Sequence, residues 1–367
     1  MMNVRKLRIT LVSLLAVLWL GLALTAWFHP AKEMSEAERR KLQQFPHFTT
    51  ETLFNGKFMT DFESYTQDQF PLRDAFRRLK AVFSYDVLQK KDNNGIYIAD
   101  GYAAQMEYPL SEKSLEGAVK KFQKLYDLYL KDCGEIFFAV VPDKGYYLAE
   151  ENGYLSMDYD AVYEKMAQLS WAEHVDIRDC LTGRDYYYTD THWRQEKLLP
   201  VAQKLCDALG VTSPKQEEYT VTELERPFYG VYYGQAALPM DPEPMYLLQN
   251  DLLDSCVVTN HETGKVGSVY DMDKLTSRDL YDVYLSGPAA LLTIENPNAT
   301  TDKELIIFRD SFGSSLIPLL IADYATVTVI DTRYIVTEYI ASFVEFHGQD
   351  VLMLYSTLVL NNSDSLR

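Results

Sequence analysis

The chain has 367 residues, of which 47% are hydrophobic and 24% are charged. A chain of this length and composition can bury a large core, and 17 glycines and 14 prolines are too few for a collagen-like or low-complexity protein. The 35 basic and 53 acidic side chains give a formal charge of −18, which repels phosphate backbones, so we expect no nucleic-acid partner.

The first predicted element is an apolar N-terminal helix at residues 7–28. Its 22 residues carry one charge, at their start, and are long enough to cross a bilayer core of about 30 Å. Arg5, Lys6 and Arg8 lie at this end, so the positive-inside rule places residues 1–6 in the cytoplasm and everything after His29 outside. We therefore predict a single-pass cell-membrane protein. The alternative, a cleaved signal peptide, has a shorter apolar region of roughly 7–15 residues.

Residues 29–91 are predicted to form a helical, membrane-proximal segment. Apolar side chains recur there at steps of three and four residues. Two turn signals, Asn55-Gly56 and Phe70-Pro71, should break the segment into short helices. A polar stretch beginning at Asp92 then marks the start of the main domain, residues 92–367.

The main domain alternates strands and helices, which predicts an α/β fold with a parallel sheet covered on both faces. The predicted strands are 96–99, 135–141, 175–177, 305–308, 326–330 and 351–354, and the predicted helices are 111–130, 159–169, 195–209, 314–323 and 335–346. Residues 211–303 are rich in Pro, Gly and Tyr, with short alternating runs such as 290–295, and we interpret them as an inserted antiparallel region. Sites in parallel sheets lie beyond the carboxyl ends of strands.

Two strand ends carry residues with catalytic chemistry. Ser311 lies between an apolar strand and a helix, where a nucleophile is exposed and a helix N-terminus favours an oxyanion. Asp190 and His192 are two residues apart, so their side chains can point the same way in an extended chain. Together they fit a Ser-His-Asp triad. The alternatives are that Ser311 and Asp190 cap helices and that His192 is a buried core residue.

No metal or cofactor site is predicted. The four cysteines are widely spaced and form no CxxC pair, the histidines are scattered, and a single disulfide outside the cell stays open. No glycine-rich phosphate loop that would bind acetyl-CoA is present.

The sequence from Asp190 to Trp193, followed downstream by Arg309-Asp310-Ser311-Phe312-Gly313 and then VTVIDTRY, resembles a known family. It is similar to the SGNH-hydrolase-like proteins of the alginate O-acetylation type and to the related DHHW proteins, over about residues 50–367. The resemblance implies a circularly permuted, flavodoxin-like sheet. It also implies that Ser311 is the nucleophile, His192 the base and Asp190 the orienting acid. The DHHW pattern has His where this chain has Thr191.

The same resemblance implies an oxyanion hole, but the family's Gly and Asn donors have no counterpart here. Backbone amides or Arg333 would have to replace them. Among 27 tyrosines, Tyr187 and Tyr233, together with Arg333 and Tyr355, are predicted to bind substrate, since aromatic faces suit sugar rings.

We therefore expect an extracytoplasmic O-acetyltransferase or acetyl esterase that acts on a cell-surface or exported polysaccharide. It should need no cofactor, and a membrane-bound partner would supply the acetyl donor. Two alternatives stay open. One is an inactive relative that binds glycan or assists its assembly. The other is a structural membrane-anchored protein, in which Asp190, His192 and Ser311 lie apart.

Overall fold

The computed structural model describes residues 4–35 and 37–367 with their side chains. Residues 1–3 of the predicted cytoplasmic tail and Glu36 of the membrane-proximal segment lie outside the described residues. Backbone contacts divide the chain into two units. The first comprises the residues up to Asn93 together with Gly234–Pro239, and the second comprises Asn94–Tyr233 and Met240–Arg367.

The first unit begins with helix α1, Val4–Phe28, which contains the predicted apolar segment. None of its residues is buried, and it is the one helix among residues 4–35 and 37–367 that is long and apolar enough to cross a membrane. The candidate membrane span is therefore present as a continuous, exposed helix. Its length follows from the lack of any helix-breaking proline or polar cluster between its ends.

Short elements follow α1. They are β1 (Met34–Ser35), β2 (Arg40–Lys41), α2 (Thr50–Phe54), α3 (Lys57–Asp68) and α4 (Arg73–Val82), and a π-helical turn (Phe83–Val87) extends α4. Helix α2 ends where predicted, because Gly56 has a positive φ of 80° that a helix does not contain. Helix α3 ends just before Phe70-Pro71, since proline disfavours helix in the residue preceding it.

The rest of the chain contains the large sheet and the helices that cover it. The strands are β3 (Ile96–Ala99), β4 (Tyr102–Gln105), β5 (Ile136–Val141), β6 (Glu173–His174), β7 (Thr220–Glu223), β8 (Tyr246–Gln249), β9 (Val257–Asn260), β10 (Val266–Gly267), β11 (Leu291–Glu295), β12 (Glu304–Arg309), β13 (Thr326–Ile330) and β14 (Asp350–Ser356). The helices are α5 (Glu112–Tyr129), α6 (Lys144–Leu148), α7 (Tyr159–Met166), α8 (Leu199–Leu209), α9 (Val231–Ala236), α10 (Asp251–Ser255), α11 (Gly313–Leu316) and α12 (Thr357–Asn361).

The main sheet has eight strands in the order β10-β9-β11-β13-β12-β14-β5-β6. From β13 to β6 all neighbours are parallel, whereas β11, β9 and β10 are antiparallel to their neighbours. The three antiparallel strands come from the inserted region, so the insertion extends one edge of the sheet. The predicted fold class, a mostly parallel α/β sheet with an antiparallel insertion after an apolar helix, is confirmed.

The central strands are buried on both faces, which explains their continuous apolar sequences. In β12, Leu305 and Ile307 point into a core that contains α8 and most of the insertion. Ile306 and Phe308 point into the opposite core, formed with α5 and α7. The residue after β12 is therefore held between two packed layers at the carboxyl edge of the sheet.

Three predicted elements are wrong in detail. The helix predicted at 314–323 is the short α11 followed by a 3₁₀ segment, Ile317–Leu320. The strand predicted at 175–177 is observed two residues earlier, as β6. Strand β6 ends at His174, and Val175 contributes only one further backbone hydrogen bond, to the Phe138 carbonyl. The helix predicted at 335–346 is only a 3₁₀ segment, Thr337–Ser342. Ile340 is buried, but Tyr339 and Phe343 are more than 60% exposed, so the segment buries only part of the apolar surface that would stabilise an amphipathic helix.

Candidate active site

Ser311 lies in the turn between β12 and α11, and the preceding aspartate fastens this turn to the neighbouring strand. Asp310 Oδ2 accepts a hydrogen bond of 2.7 Å from the backbone N–H of Ser356, at the end of β14. Asp310 Oδ1 accepts one of 3.0 Å from the N–H of Phe312. Because both carboxylate oxygens are occupied by backbone donors, the half-buried Ser311 is presented by a fixed turn.

Asp190 and His192 lie in a loop closed by a β-bridge between Tyr186 and Trp193. The loop is attached to the serine turn through the Trp193 indole. Its Nε1 donates to the Phe312 carbonyl and to Ser315 Oγ, both at 3.0 Å. The fully buried Trp193 therefore sets the spacing between two segments that are far apart in sequence.

The structure brings Asp190, His192 and Ser311 into one hydrogen-bonded chain. Asp190 Oδ1 is 2.6 Å from His192 Nδ1, and His192 Nε2 is 2.8 Å from Ser311 Oγ. Asp190 is fully buried and His192 nearly so. A carboxylate only accepts, so Nδ1 carries the ring proton and Nε2 has a lone pair facing the serine hydroxyl. This is the geometry that a base needs to take a proton from serine, and the catalytic role stays a prediction.

The second oxygen of Asp190 is held by the insertion. Val231 N–H donates to Asp190 Oδ2 at 2.8 Å, and Gly230 N–H donates to Thr189 Oγ1 at 2.7 Å. Gly230 passes so close that a Cβ there would lie 2.3 Å from the Cβ of Asp190. Only glycine permits this approach, so a backbone cradle fixes the carboxylate from the side away from His192.

Tyr281, also from the insertion, covers the imidazole and was not predicted from the sequence. Its ring is stacked on His192 with centroids 3.9 Å apart and an interplanar angle of 8°. Its hydroxyl is 2.7 Å from Ser315 Oγ, the same atom that accepts from Trp193. The stacking fixes the orientation of the imidazole ring. No sequence pattern around residue 281 predicts this contact.

Two buried ionisable residues, Lys144 and Glu243, hold the backbone of the loop that carries Asp190. Lys144 Nζ donates to the carbonyls of Ala103 and Tyr187, both at 2.6 Å, and Glu243 accepts from Thr189 N–H at 3.3 Å. Burial lowers the pKa of Lys144 to about 7 and raises that of Glu243 to about 7. Lys144 binds Tyr187 and Glu243 binds Thr189, so both side chains hold the backbone of the loop that carries Asp190.

Two arginine side chains at this edge of the sheet, Arg309 and Arg333, contact the buried carboxylate of Asp331. Asp331 accepts from Arg333 Nε at 2.9 Å and from Arg333 Nη2 at 2.6 Å, and it lies 3.6 Å from Arg309 Nη1. Arg309 is 1% exposed, and its Nε and Nη2 have no hydrogen-bond partner among residues 4–35 and 37–367. The backbone N–H of Ser311 likewise donates to no other group in the described part of the chain. The backbone N–H of Ser311, rather than the paired Arg333 or the buried Arg309, is therefore the donor that the serine turn leaves without a partner.

The four predicted substrate-binding residues do not form one surface. Tyr187 and Tyr355 are fully buried, so the prediction that their rings face a glycan is wrong. The Tyr355 hydroxyl bonds Thr332 Oγ1 at 2.9 Å inside the core. Arg333 is committed to Asp331, while Tyr233 is half-buried and 4.7 Å from the ring of Tyr229. Tyr233 is the member of the set that keeps accessible ring surface.

The described residues show no group of three His, Cys, Asp or Glu side chains able to hold a metal ion. All four cysteines are free thiols.

Comparison with known proteins gives matches in sequence and in fold. The family model described as DHHW protein matches residues 156–330. No curated protein matches the chain.

The solved structure of a DHHW family protein from Eubacterium siraeum matches with 20% identity, 75% of this chain, 94% of that chain and a TM-score of 0.61. Bacillus cereus PatB1, solved with a sulfonyl adduct, matches with 16% identity, 72% of this chain, 95% of that chain and a TM-score of 0.55. An O-acetyltransferase domain of Pseudomonas putida AlgJ matches with 12% identity, 73% of this chain, 92% of that chain and a TM-score of 0.45. The predicted likeness to the DHHW proteins is confirmed, in sequence over residues 156–330 and in fold over most of the chain.

Proposed function

We propose that this protein is a membrane-anchored, extracytoplasmic acyl-transfer enzyme. It is an O-acetyltransferase or an acetyl esterase that acts on a cell-surface or exported polysaccharide. The observation that carries the proposal is the hydrogen-bonded chain from Asp190 through His192 to Ser311, with distances of 2.6 and 2.8 Å. A helix cap or a core histidine alone would not need all three groups in this order.

The reaction begins when Ser311 Oγ attacks the carbonyl carbon of an acetyl ester. The hydroxyl proton passes to His192 Nε2, and the carbonyl π electrons move to the oxygen. The imidazolium, facing the Asp190 carboxylate, then gives that proton to the leaving oxygen as the C–O bond breaks, which leaves an acetyl-serine. A sugar hydroxyl or water attacks this ester by the same steps in reverse. The first acceptor gives transfer and the second gives deacetylation.

The negative oxygen of the tetrahedral intermediate needs donors. The backbone N–H of Ser311 supports this role, since it donates to no other group in the described part of the chain. The membrane location rests on α1 and on the basic residues at its start, and the glycan substrate rests on the family resemblance. A membrane-bound partner would deliver the acetyl group, because the sequence offers no phosphate-binding loop for acetyl-CoA.

A serine-directed label tests the nucleophile. PatB1 was solved with a sulfonyl adduct, so the probe is phenylmethylsulfonyl fluoride, followed by intact mass and by hydrolysis of 4-nitrophenyl acetate. We expect one sulfonyl group per wild-type chain and none on Ser311→Ala. The control Ser365→Ala removes a hydroxyl that bonds only its own turn and should label like the wild type.

Two results would contradict the proposal. Ester turnover that is unchanged in Ser311→Ala would remove the nucleophile assignment. An unlabelled wild type that binds polysaccharide, with affinity lost in Tyr233→Ala, would instead support the non-catalytic glycan-binding alternative.

A further inference from the structure

Helix α4 and its π-helical extension carry an apolar stripe on their exposed side. The stripe consists of Leu72, Phe76, Leu79, Phe83 and Val87, which recur every three or four residues and therefore share one face of the helix. Their exposed fractions range from 43% for Phe76 to 70% for Leu72. A water-soluble helix places such a face against its core. Here that face is turned outward.

Ion pairs on the opposite face fix this orientation. Arg73 Nη1 is 2.5 Å and Arg77 Nη2 is 3.3 Å from the carboxylate of Glu38, and Arg77 also donates to the Gly234 carbonyl at 2.8 Å. Ala81, on the same face, is fully buried. Turning the apolar stripe inward would break all three arginine contacts. The stripe is therefore a stable feature of the surface, available to a partner outside this chain.

The charge around the stripe indicates what that partner is. Residues 70–91 hold six basic and two acidic side chains, and two of the basic ones, Arg73 and Arg77, are paired with Glu38 on the opposite face. The remaining side chains still give this segment a net charge of +2 in a chain whose total is −18. An apolar helix face with basic flanks is typical of helices that lie in a membrane interface, where lysine and arginine meet anionic headgroups. A second copy would bring the same positive charge to the contact, which disfavours pairing of two stripes.

The position of the stripe in the sequence also favours the membrane as its partner. It belongs to the unit that starts with α1, and 43 residues separate Phe28 from Leu72. In the same unit Phe45, Phe48 and Phe54 are 62%, 57% and 88% exposed. Exposed phenylalanine rings are typical of the apolar face of segments that lie in a membrane interface.

We propose that the apolar stripe lies in the headgroup–acyl boundary of the membrane that α1 spans and prefers anionic lipid. The protein then contacts the bilayer twice, through α1 and along the face of α4. This inference depends on α1 being inserted and is independent of acyl transfer at Ser311.

Photo-crosslinking of the full chain in nanodiscs tests the contact. The variants are Phe76→p-benzoylphenylalanine, within the stripe, and Asp74→p-benzoylphenylalanine as a matched control. The Asp74 side chain is 56% exposed and lies about 200° from Phe76 around the helix at roughly 100° per residue. Lipid adducts on the peptide that contains the label are measured by mass spectrometry, in discs of phosphatidylglycerol and of phosphatidylcholine.

We expect at least fivefold more lipid adduct from position 76 than from position 74, and more in phosphatidylglycerol than in phosphatidylcholine. Equal adduct yields at the two positions would overturn the proposal. So would a crosslinked dimer in place of the lipid adduct, or capture of another membrane protein by position 76 in cells. Equal yields from position 76 in the two lipids would overturn the preference for anionic lipid. None of these outcomes bears on sulfonyl labelling of Ser311, so the two proposals can fail separately.

Discussion

Replacing Asp190 with asparagine changes one atom at the centre of the hydrogen-bonded chain. In the wild type Oδ1 accepts from the ring Nδ1 of His192 at 2.6 Å and from its backbone N–H at 3.1 Å, while Oδ2 accepts from Val231 N–H at 2.8 Å. Asparagine has one oxygen and one NH₂ group, so it can accept on one side only. Each orientation turns a donor toward another donor at a buried position.

The two orientations have different consequences. With the oxygen toward His192, Val231 N–H loses its acceptor, which costs about 1–3 kcal/mol of folding free energy, and the imidazole keeps its tautomer without a facing negative charge. With the oxygen toward Val231, the amide donates to Nδ1 and the ring proton moves to Nε2. Ser311 then faces a donor and cannot transfer its proton. This tautomer change lowers the rate of serine hydrolases by about 10⁴. We expect acylation to slow by roughly 10²–10⁴-fold, the lower figure being typical of a lost general base.

Three measurements on Asp190→Asn separate these effects. The rate of acylation by 4-nitrophenyl acetate gives the chemical loss, urea unfolding gives the stability loss, and the ¹⁵N shifts of the His192 ring show which nitrogen is protonated. The exposed Asp364→Asn serves as a charge-matched control. A folded Asp190→Asn protein that is acylated within twofold of the wild-type rate would refute the reasoning, because Asp190 would then not orient His192 in the reaction.

Three further substitutions test the surroundings of the site. Tyr281→Leu removes the ring stacked on His192 and should slow acylation by about 5–10-fold, since an aromatic pair contributes about 1 kcal/mol. Tyr281→Phe loses only the hydroxyl bond to Ser315 and should lower the free energy of unfolding by about 0.5–1.5 kcal/mol without slowing acylation. Equal slowing of acylation in the two variants would therefore contradict the stacking role. Burial raises the pKa of Glu243 to about 7, so the folded protein holds a proton that the unfolded chain releases near 4.5. The stabilisation is complete below about pH 4.5 and is lost as the pH rises through about 7. In urea titrations between those pH values Glu243→Gln should lose this pH dependence, and an unchanged slope would show that another group is responsible.

The sheet and the position of Ser311 could be predicted because they depend on short, local signals. Strands β12 and β14 contain continuous apolar runs, β13 is a run of β-branched residues, and β13 begins and ends at the predicted residues. In a parallel sheet the residues after such runs share one edge. Knowing where β12 ends is therefore enough to place Ser311 at this edge. The loop that holds His192 follows no strand of the main sheet directly, because β6 already ends at His174, so its position depends on the bridge between Tyr186 and Trp193.

Contacts made by the insertion could not be predicted in this way. Tyr281 reaches His192 only through the fold of the intervening chain, and Val231 acts through its backbone, which has no side-chain signature. The burial of Tyr355, by contrast, could have been predicted from the sequence. Val351, Met353 and Tyr355 alternate along β14 and all point into the same core, so the period of the strand already places the tyrosine inside.

The two contacts from the insertion limit how this protein could be shortened or redesigned. Splicing out residues 211–303 would remove both the amide that holds the outer oxygen of Asp190 and the ring over His192. The hydrogen bonds that Asp310 makes in the serine turn would remain. Asp190 would lose a hydrogen bond, however, and His192 would lose the ring stacked on it. A graft that changes the surroundings of Ser311 must therefore preserve Val231 and Tyr281, and also Glu243 and the core residues that lie between them.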